Sequence, residues 1–488
     1  MQHQFRTALA TAAAVALTGG LLVVAAGTAT AADPTKTAQA DFNNDGFGDV
    51  AYSAGSSTVA GKKTAGQIVI VYGTPSGISS AKRQTFSQDS AGVPGTAETG
   101  DGFGWTSAYG DFNSDGFDDL AVGAQWEDVS GDTDGGTVVV LWGSASGLKG
   151  GTTVADPAPS AHDKWGGSLA AGDFNGDGKD DLAVGTTSNT VHVIRGGLTP
   201  SGATGGRYTV KAPIMAQGNG SRMLTAGDVT GDGRTDLVVE GFTDKAPNYF
   251  AENYFFPGSS SGLTASGMKK LKPGIITDIG DVNGDGYGDI VSGVDWDAVE
   301  DGVTYPGAHK GGQANITYGS ASGPAASVAV HQETGAVPGG SETDDFFGGE
   351  LSLGDINGDG FLDLAVGAYG EDLGSFRNAG SVTVLYGSAR GLDTTGGIQY
   401  FHQDTPGVPG SSETDDGFGT EIKLDDLNGD GRADLAVSSA YENAGDGLVT
   451  YLPSDGTRIT TAGSRTISPS AVGVSTAGTP LFGANAAN

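Results

Sequence analysis

The stretch Asp355–Leu364, DINGDGFLDL, decides how the rest of the chain is read. Oxygen-bearing side chains stand at its positions 1, 3 and 5, and glycine at position 6 permits a sharp turn. With the carbonyl of position 7, that spacing wraps a calcium ion. An EF-hand begins this way, but the match stops there. Position 12 should be a bidentate glutamate and is Val366, whereas an aspartate, Asp363, stands at position 9. The following LDLAVGA is a short apolar run with the look of a buried strand, not of a ten-residue helix. The loop is therefore expected to join two strands.

The same ten-residue pattern occurs seven times. It reads DFNNDGFGDV from Asp41, DFNSDGFDDL from Asp111, DFNGDGKDDL from Asp173 and DVTGDGRTDL from Asp228. It continues as DVNGDGYGDI from Asp281, DINGDGFLDL from Asp355 and DLNGDGRADL from Asp426, at intervals of 70, 62, 55, 53, 74 and 71 residues. Such a period marks a repeat architecture. Asn-Gly and Asp-Gly runs are also ordinary hairpin turns, but a turn needs neither three acids nor an amide at alternating positions. The loops are expected to hold calcium, least well at Asp228, where Thr230 replaces the amide oxygen.

A unit of about 65 residues suits a four-stranded antiparallel sheet. In the sixth unit the expected strands are FGGELSLGD from Phe347, DLAVGA after the loop, GSVTVLYG from Gly380, and a fourth around IQYFHQD. Short strands, 86 glycines and almost no helical periodicity point to an all-β fold, a seven-bladed β-propeller with calcium loops. A solenoid would use shorter repeats, and the recurring Val-Leu-Tyr-Gly and Phe-Gly positions argue against disorder.

Residues 8–26 are apolar behind Arg6 and lead to the small-residue site Ala29-Thr30-Ala31. Residues 1–31 are thus expected to be a secretory signal peptide rather than a membrane anchor, and 32–488 the propeller. The absence of cysteine excludes disulfides and thiolate metal sites, leaving calcium as the staple of a secreted chain. A net charge of −33 speaks against nucleic acid or anionic membranes as partners.

Phe-Gly at Phe103, Phe347 and Phe418, together with Asp-x-Asn-x-Asp-Gly-x-x-Asp, resembles the FG-GAP repeats that build the integrin α-subunit propeller. The resemblance covers nearly the whole of 32–488 and implies calcium bound by side chains at positions 1, 3, 5 and 9. The first three loops would then offer Asp41, Asn43, Asp45 and Asp49, then Asp111, Asn113, Asp115 and Asp119, then Asp173, Asn175, Asp177 and Asp181. The fourth and fifth would offer Asp228, Thr230, Asp232 and Asp236, then Asp281, Asn283, Asp285 and Asp289. The last two would offer Asp355, Asn357, Asp359 and Asp363, then Asp426, Asn428, Asp430 and Asp434. The resemblance implies an extracellular adhesion or ligand-binding module with a protein or glycan ligand. Alternatives are an extracellular hydrolase of the phospholipase D-like or polysaccharide-degrading kind, or a carbohydrate-binding lectin. A monomer is expected.

No catalytic residue stands out. GSSSG at Gly258–Gly262 matches a serine nucleophile elbow, but GTPSG at Gly73 and GSASG at Gly143 and Gly319 mark it as a repeated hairpin. His331 and His402 occupy equivalent places, and His162, His192 and His309 are isolated; each is expected to be structural. The calcium loops and these hairpins should share one face of the ring. The opposite face collects Trp126, Glu127, Trp296, Asp297, Tyr369 and Glu371, which either bind ligands or cover the blade junctions. Phe482-Gly483 repeats the inner-strand signature, so the C-terminal tail is expected to close the first blade, with TKTAQA before Asp41 as competitor.

Overall fold

A computed structural model describes residues 39–487 apart from 130, 217, 246–248 and 301; the expected signal peptide lies outside the described residues. A three-stranded antiparallel sheet is followed along the chain by six four-stranded ones, each meandering from its first strand to its fourth, and a two-stranded ribbon, Val299–Glu300 with Val303–Thr304, sits in the fifth blade. The sixth shows the pattern: Phe347–Gly354, Asp363–Ala368, Ser381–Leu385 and Gln399–Phe401, close to the four strands expected there. The helical segments among the described residues are the four-residue Glu442–Gly445 and the three-residue Ser470–Val472.

The arrangement is a ring. The first strands of blades two to seven, together with Asn485 and Ala486, line one central cavity. The second strands, such as DLAVGA at Asp119 and Asp363, are buried along their whole length, because both faces of a blade pack against neighbours. Seven apolar clusters result, one at each junction. That between blades six and seven gathers Val382, Val384 and Phe401 with Phe418, Ile422 and Leu435. Position 2 of every loop, from Phe42 to Leu427, is at most 1% exposed and plugs the loop into this core.

The Phe-Gly signature has a steric cause. Phe418 donates its N–H to the Ala379 carbonyl at 2.9 Å, clasping the third strand of blade six to the first strand of blade seven. Gly380 sits at the clasp with φ of +83°, and a Cβ there would collide with the Phe418 backbone. Phe103 on Ala65 and Phe347 on Gly311 repeat the bond.

Phe482 makes the same clasp on Asp446. The chain beyond it then pairs with Val50–Ala54. Gly483 and Ala487 donate to the Ser53 and Ala51 carbonyls, Ser53 donates to Asn485, and Tyr52 bridges Ala486. The C-terminal tail therefore supplies the inner strand of blade one, as Phe482-Gly483 foretold. Gln39 and Ala40, the described end of TKTAQA, instead meet the loop face, where Gln39 donates to Asp426 and Ala40 accepts from Asp49.

Candidate metal loops and the opposite face

Each loop is organised by its own carboxylates. In the sixth, Asp355 Oδ1 accepts the N–H groups of Gly358 and Asp359 at 2.7 and 3.2 Å, and Oδ2 accepts that of Gly360 at 3.0 Å. Asp359 Oδ1 accepts from Phe361 at 3.0 Å. Asp363, buried, takes the N–H of Ile356 on one oxygen and that of Gly387 on the other, both at 2.9 Å. The second of these bonds recurs in every blade. Asp49, Asp119, Asp181, Asp236, Asp289 and Asp434 accept from Gly73, Gly143, Gly196, Gly258, Gly319 and Ser454 at 2.8–2.9 Å. Position 9 thus ties each loop to the hairpin after the third strand, on one face as expected.

The donor set is all oxygen, the chemistry a hard cation prefers. Burial, and then the carboxylates of Asp355 and Asp359, raise Asp363 to about 8. Burial and the neighbouring Asp41 and Asp45 do the same to Asp49. Positive charge is what these clusters lack. The residues fit calcium by type, but no three carboxylates of one loop converge to within 4.8 Å among the described residues. The position-5 side chains are exposed, and in six of the seven loops one of their oxygens accepts the position-7 N–H, leaving the second oxygen to meet a cation. Two already meet side-chain cations: Lys82 Nζ lies 2.6 Å from Asp45, and Arg234 Nη1 2.7 Å from Asp232. In loops one, two, three and seven the position-3 amide nitrogen donates to the position-9 carboxylate, whereas Asn283 and Asn357 offer their oxygens to Asp285 and Asp359. The fourth loop has Thr230, whose hydroxyl stands 3.5 Å from Asp228.

The loops also bond to one another. The N–H of position 8 donates to the position-1 carbonyl of the preceding loop at six junctions: Gly48 to Asp426, Asp118 to Asp41, Thr235 to Asp173, Gly288 to Asp228, Leu362 to Asp281 and Ala433 to Asp355. At the seventh, Asp111 donates its N–H to the Asp180 carboxylate at 3.0 Å. Side chains reinforce the contact. A Cβ at Gly429 would lie 2.7 Å from Phe47, and one at Gly284 2.5 Å from Phe361.

The opposite face is more divided than its composition suggested. Glu127 and Glu371 accept hydrogen bonds from Gln88 and Gln332 of the preceding blades, both at 2.6 Å, and Asp297 accepts from Gly311 and Asp344. These acids are joints between blades. Trp126 packs edge-on against Trp105, Trp296 meets Tyr305, and Tyr369 stacks on Phe346 with centroids 4.8 Å apart. The three aromatics therefore stand in separate pairs.

One of those pairs borders a cleft that the sequence reading missed. It has a volume of about 650 Å³ and is lined by Phe346, Tyr369, Asn378, Glu413, Asp415 and Tyr441, among others. Tyr441 is 50% exposed there. A signal existed in the repeats: Phe346 occupies the place that Gly102 and Gly417 hold in sister units, and it keeps a glycine-like φ of +57°. A bulky residue held there is strained, and such strain gathers at functional sites. The GSSSG serines are turn-formers, since the Ser259 hydroxyl donates to the Gly262 carbonyl, as Ser144, Ser320 and Ser388 do in their hairpins.

Comparison with known proteins agrees with this geometry. The FG-GAP repeat model matches residues 103–141, 347–385 and 418–452, and an FG-GAP-like repeat model matches 173–239. Rat phosphatidylinositol-glycan-specific phospholipase D is 34% identical over 167 residues, 34% of this chain and 18% of that protein. The mouse protein of that name is 33% identical over 211 residues, 43% of this chain and 22% of its own. Drosophila melanogaster integrin alpha-PS2 is 29% identical over 272 residues, 55% of this chain and 15% of that protein. The matched region spans about a fifth of these relatives. The fold and its loops define a repeat-built β-propeller. More narrowly, the chain is an integrin-like FG-GAP β-propeller.

Proposed function

We propose that this chain is a secreted, calcium-binding FG-GAP propeller that acts as an extracellular adhesion or ligand-binding module. The observation that carries the reading is the ring of seven acidic loops, each with an all-oxygen donor set and a carboxylate pushed toward neutrality by burial first and by its acidic neighbours second. Calcium held by Asp355, Asn357, Asp359 and Asp363, and by their equivalents, would supply the missing positive charge and stiffen the ring. The ligand would seat on the opposite face, in the cleft between Phe346, Tyr369 and Tyr441, where rings offer stacking area and Asn378, Glu413 and Asp415 offer polar contacts. The names of the relatives, an integrin α-subunit and a phospholipase, support an extracellular setting. Titration of chelator-treated protein with calcium should reveal several sites; a stoichiometry of zero or one overturns the metal half of the reading. Capture of ligands from extracellular-matrix and cell-wall extracts, with and without chelator, tests the rest. Equal capture by wild type and by a Phe346→Ala/Tyr441→Ala variant would remove the cleft from the account.

A further inference from the structure

Among the described residues, blade five alone gathers three histidine or carboxylate ligand atoms within 4.8 Å of one another. His309 lies on the long loop before the third strand, Gln313–Thr317, and His331 and Glu333 follow the fourth strand, Ser327–Val330. The two imidazoles stack with centroids 3.6 Å apart and planes 6° from parallel. His309 Nε2 stands 3.6 Å from Glu333 Oε2, and one ligand atom from each of the three residues lies within 4.8 Å of the others. His309 Nδ1 is 2.9 Å from the Lys310 carbonyl. A proton on Nδ1 satisfies that carbonyl and leaves the Nε2 lone pair directed at Glu333.

The repeats show that the fold does not require this trio. His331 begins a turn in which its own N–H donates to Thr334 Oγ1 at 3.0 Å; His402 does the same with Thr405, and Ser87 fills the place in blade one. The turn therefore needs the backbone and not the imidazole. Aligned on the glycines before the third strand, His309 corresponds to Arg377 and Thr133, and Glu333 to Asp404 and Asp89. Two imidazoles and a carboxylate meet in blade five alone among these units.

We propose that His309, His331 and Glu333 form a surface site for a divalent transition metal, zinc in the first place, distinct from the oxygen loops on the opposite face. Two nitrogens and one carboxylate oxygen suit zinc, which binds at about 2.0–2.2 Å and favours tetrahedral geometry. Ligand atoms around such an ion stand about 3.3 Å apart. The His309–Glu333 separation already approaches that spacing. The near-parallel rings must tilt open to aim both lone pairs at one ion, a motion open to half-exposed side chains. The Nδ1 contact with the Lys310 carbonyl is the outer support that fixes the tautomer of a metal-bound histidine. Calcium, which prefers six to eight oxygens, would compete poorly here. Three protein ligands leave a fourth position for water or for a donor from a partner.

The test uses the full chain in millimolar calcium, so that the oxygen loops are satisfied. Cobalt(II) is titrated by its visible absorption, zinc by competition and calorimetry. Wild type should bind one equivalent of zinc at micromolar level or tighter. His309→Gln, His331→Gln and Glu333→Gln should each weaken binding at least tenfold, with calcium stoichiometry and melting in metal-free buffer unchanged. His402→Gln, which alters the equivalent turn in the next unit, should leave zinc binding intact. The proposal fails if wild type binds no zinc below about 100 µM. It also fails if binding survives in His309→Gln/His331→Gln, which would move the site to the buried His162 and His192 pair. If the variants lose their fold, the cobalt spectrum of wild type alone decides: nitrogen-ligated tetrahedral bands support the site, and a hexa-aquo-like spectrum overturns it.

Discussion

Phe482 closes the ring, and its removal tests whether the closure carries the stability assigned to it. Its side chain is fully buried among Val50, Tyr52, Val69 and Val449 and meets Tyr52 edge-on with centroids 6.0 Å apart. Phe482→Ala leaves the backbone clasp in place, so its cost is burial plus cavity, about 3–5 kcal/mol. Truncation after Pro480 also removes the three backbone hydrogen bonds to Val50–Ala54, about 1 kcal/mol each, and the buried Ala486 and Ala487. The total, about 6–9 kcal/mol, rivals the whole stability of an ordinary domain. It would also leave Val50–Ala54, apolar and unpaired, as an open edge. Urea unfolding in saturating calcium separates this effect from metal linkage, and size-exclusion chromatography reads association. Phe482→Ala should lower the unfolding free energy by several kcal/mol and stay folded, whereas the truncated chain should aggregate. If the truncated chain melts within a degree of the intact one and elutes like it, the closure reasoning is wrong.

Three further outcomes follow from other parts of the molecule. Saturating calcium at a hundredfold its dissociation constant should add about 2.7 kcal/mol per independent site, so chelation should lower the melting temperature by more than ten degrees or so, and Asp359→Ala by a fraction of that; superimposable melts with and without chelator would reduce the loops to turns. Glu240 is fully buried, neither oxygen has a hydrogen-bond partner among the described residues, and burial raises its carboxyl to about 8 despite Arg222 at 4.0 Å. Since the folded state keeps this proton while the unfolded chain releases it above about 4.5, stability should fall as pH rises from about 4.5 to 8 and level off beyond. The loop aspartates raised by burial add to the same slope, so Glu240→Gln should lessen it and stabilise the protein at pH 8 by a few kcal/mol, as read by urea melts at both pH values; an unchanged slope would refute the assignment. Phe346→Gly should relieve about 1–3 kcal/mol of backbone strain against about 1 kcal/mol of lost stacking, leaving the melting temperature equal or higher while ligand capture falls. A loss of more than about 2 kcal/mol would show the ring to be core instead.

The architecture was legible in the sequence because three signals agreed. The Asp-x-Asn-x-Asp-Gly period set the blade count, LDLAVGA set the buried second strand, and Phe482-Gly483 repeated the clasp that closes the ring. Less could be read of the sites. Position 9 reads as a ligand by spacing, and only the fold reveals that Asp363 also staples the loop to Gly387 across a strand pair. Glu127, Asp297 and Glu371 look like a binding surface along the chain, but their partners, Gln88, Asp344 and Gln332, are set by junctions between blades. The cleft was invisible for the same reason. Phe346 and Tyr441 stand nearly a hundred residues apart, and their meeting depends on how blade six turns against blade seven. His309 looked isolated because a strand pair, Gln313–Thr317 and Ser327–Val330, separates it in sequence from His331, although both ends return to one corner.

At six of the seven junctions the later loop around the ring donates a backbone N–H to the earlier one, and between the second and third loops the direction reverses, Asp111 giving its N–H to Asp180. Such a chain of contacts acts as a hoop. Prising one junction apart lengthens the circumference, so the strain is shared by the other six rather than absorbed where it is applied. A tug on any single blade is then resisted circumferentially, and the tail strand of blade one is the latch on which that resistance depends.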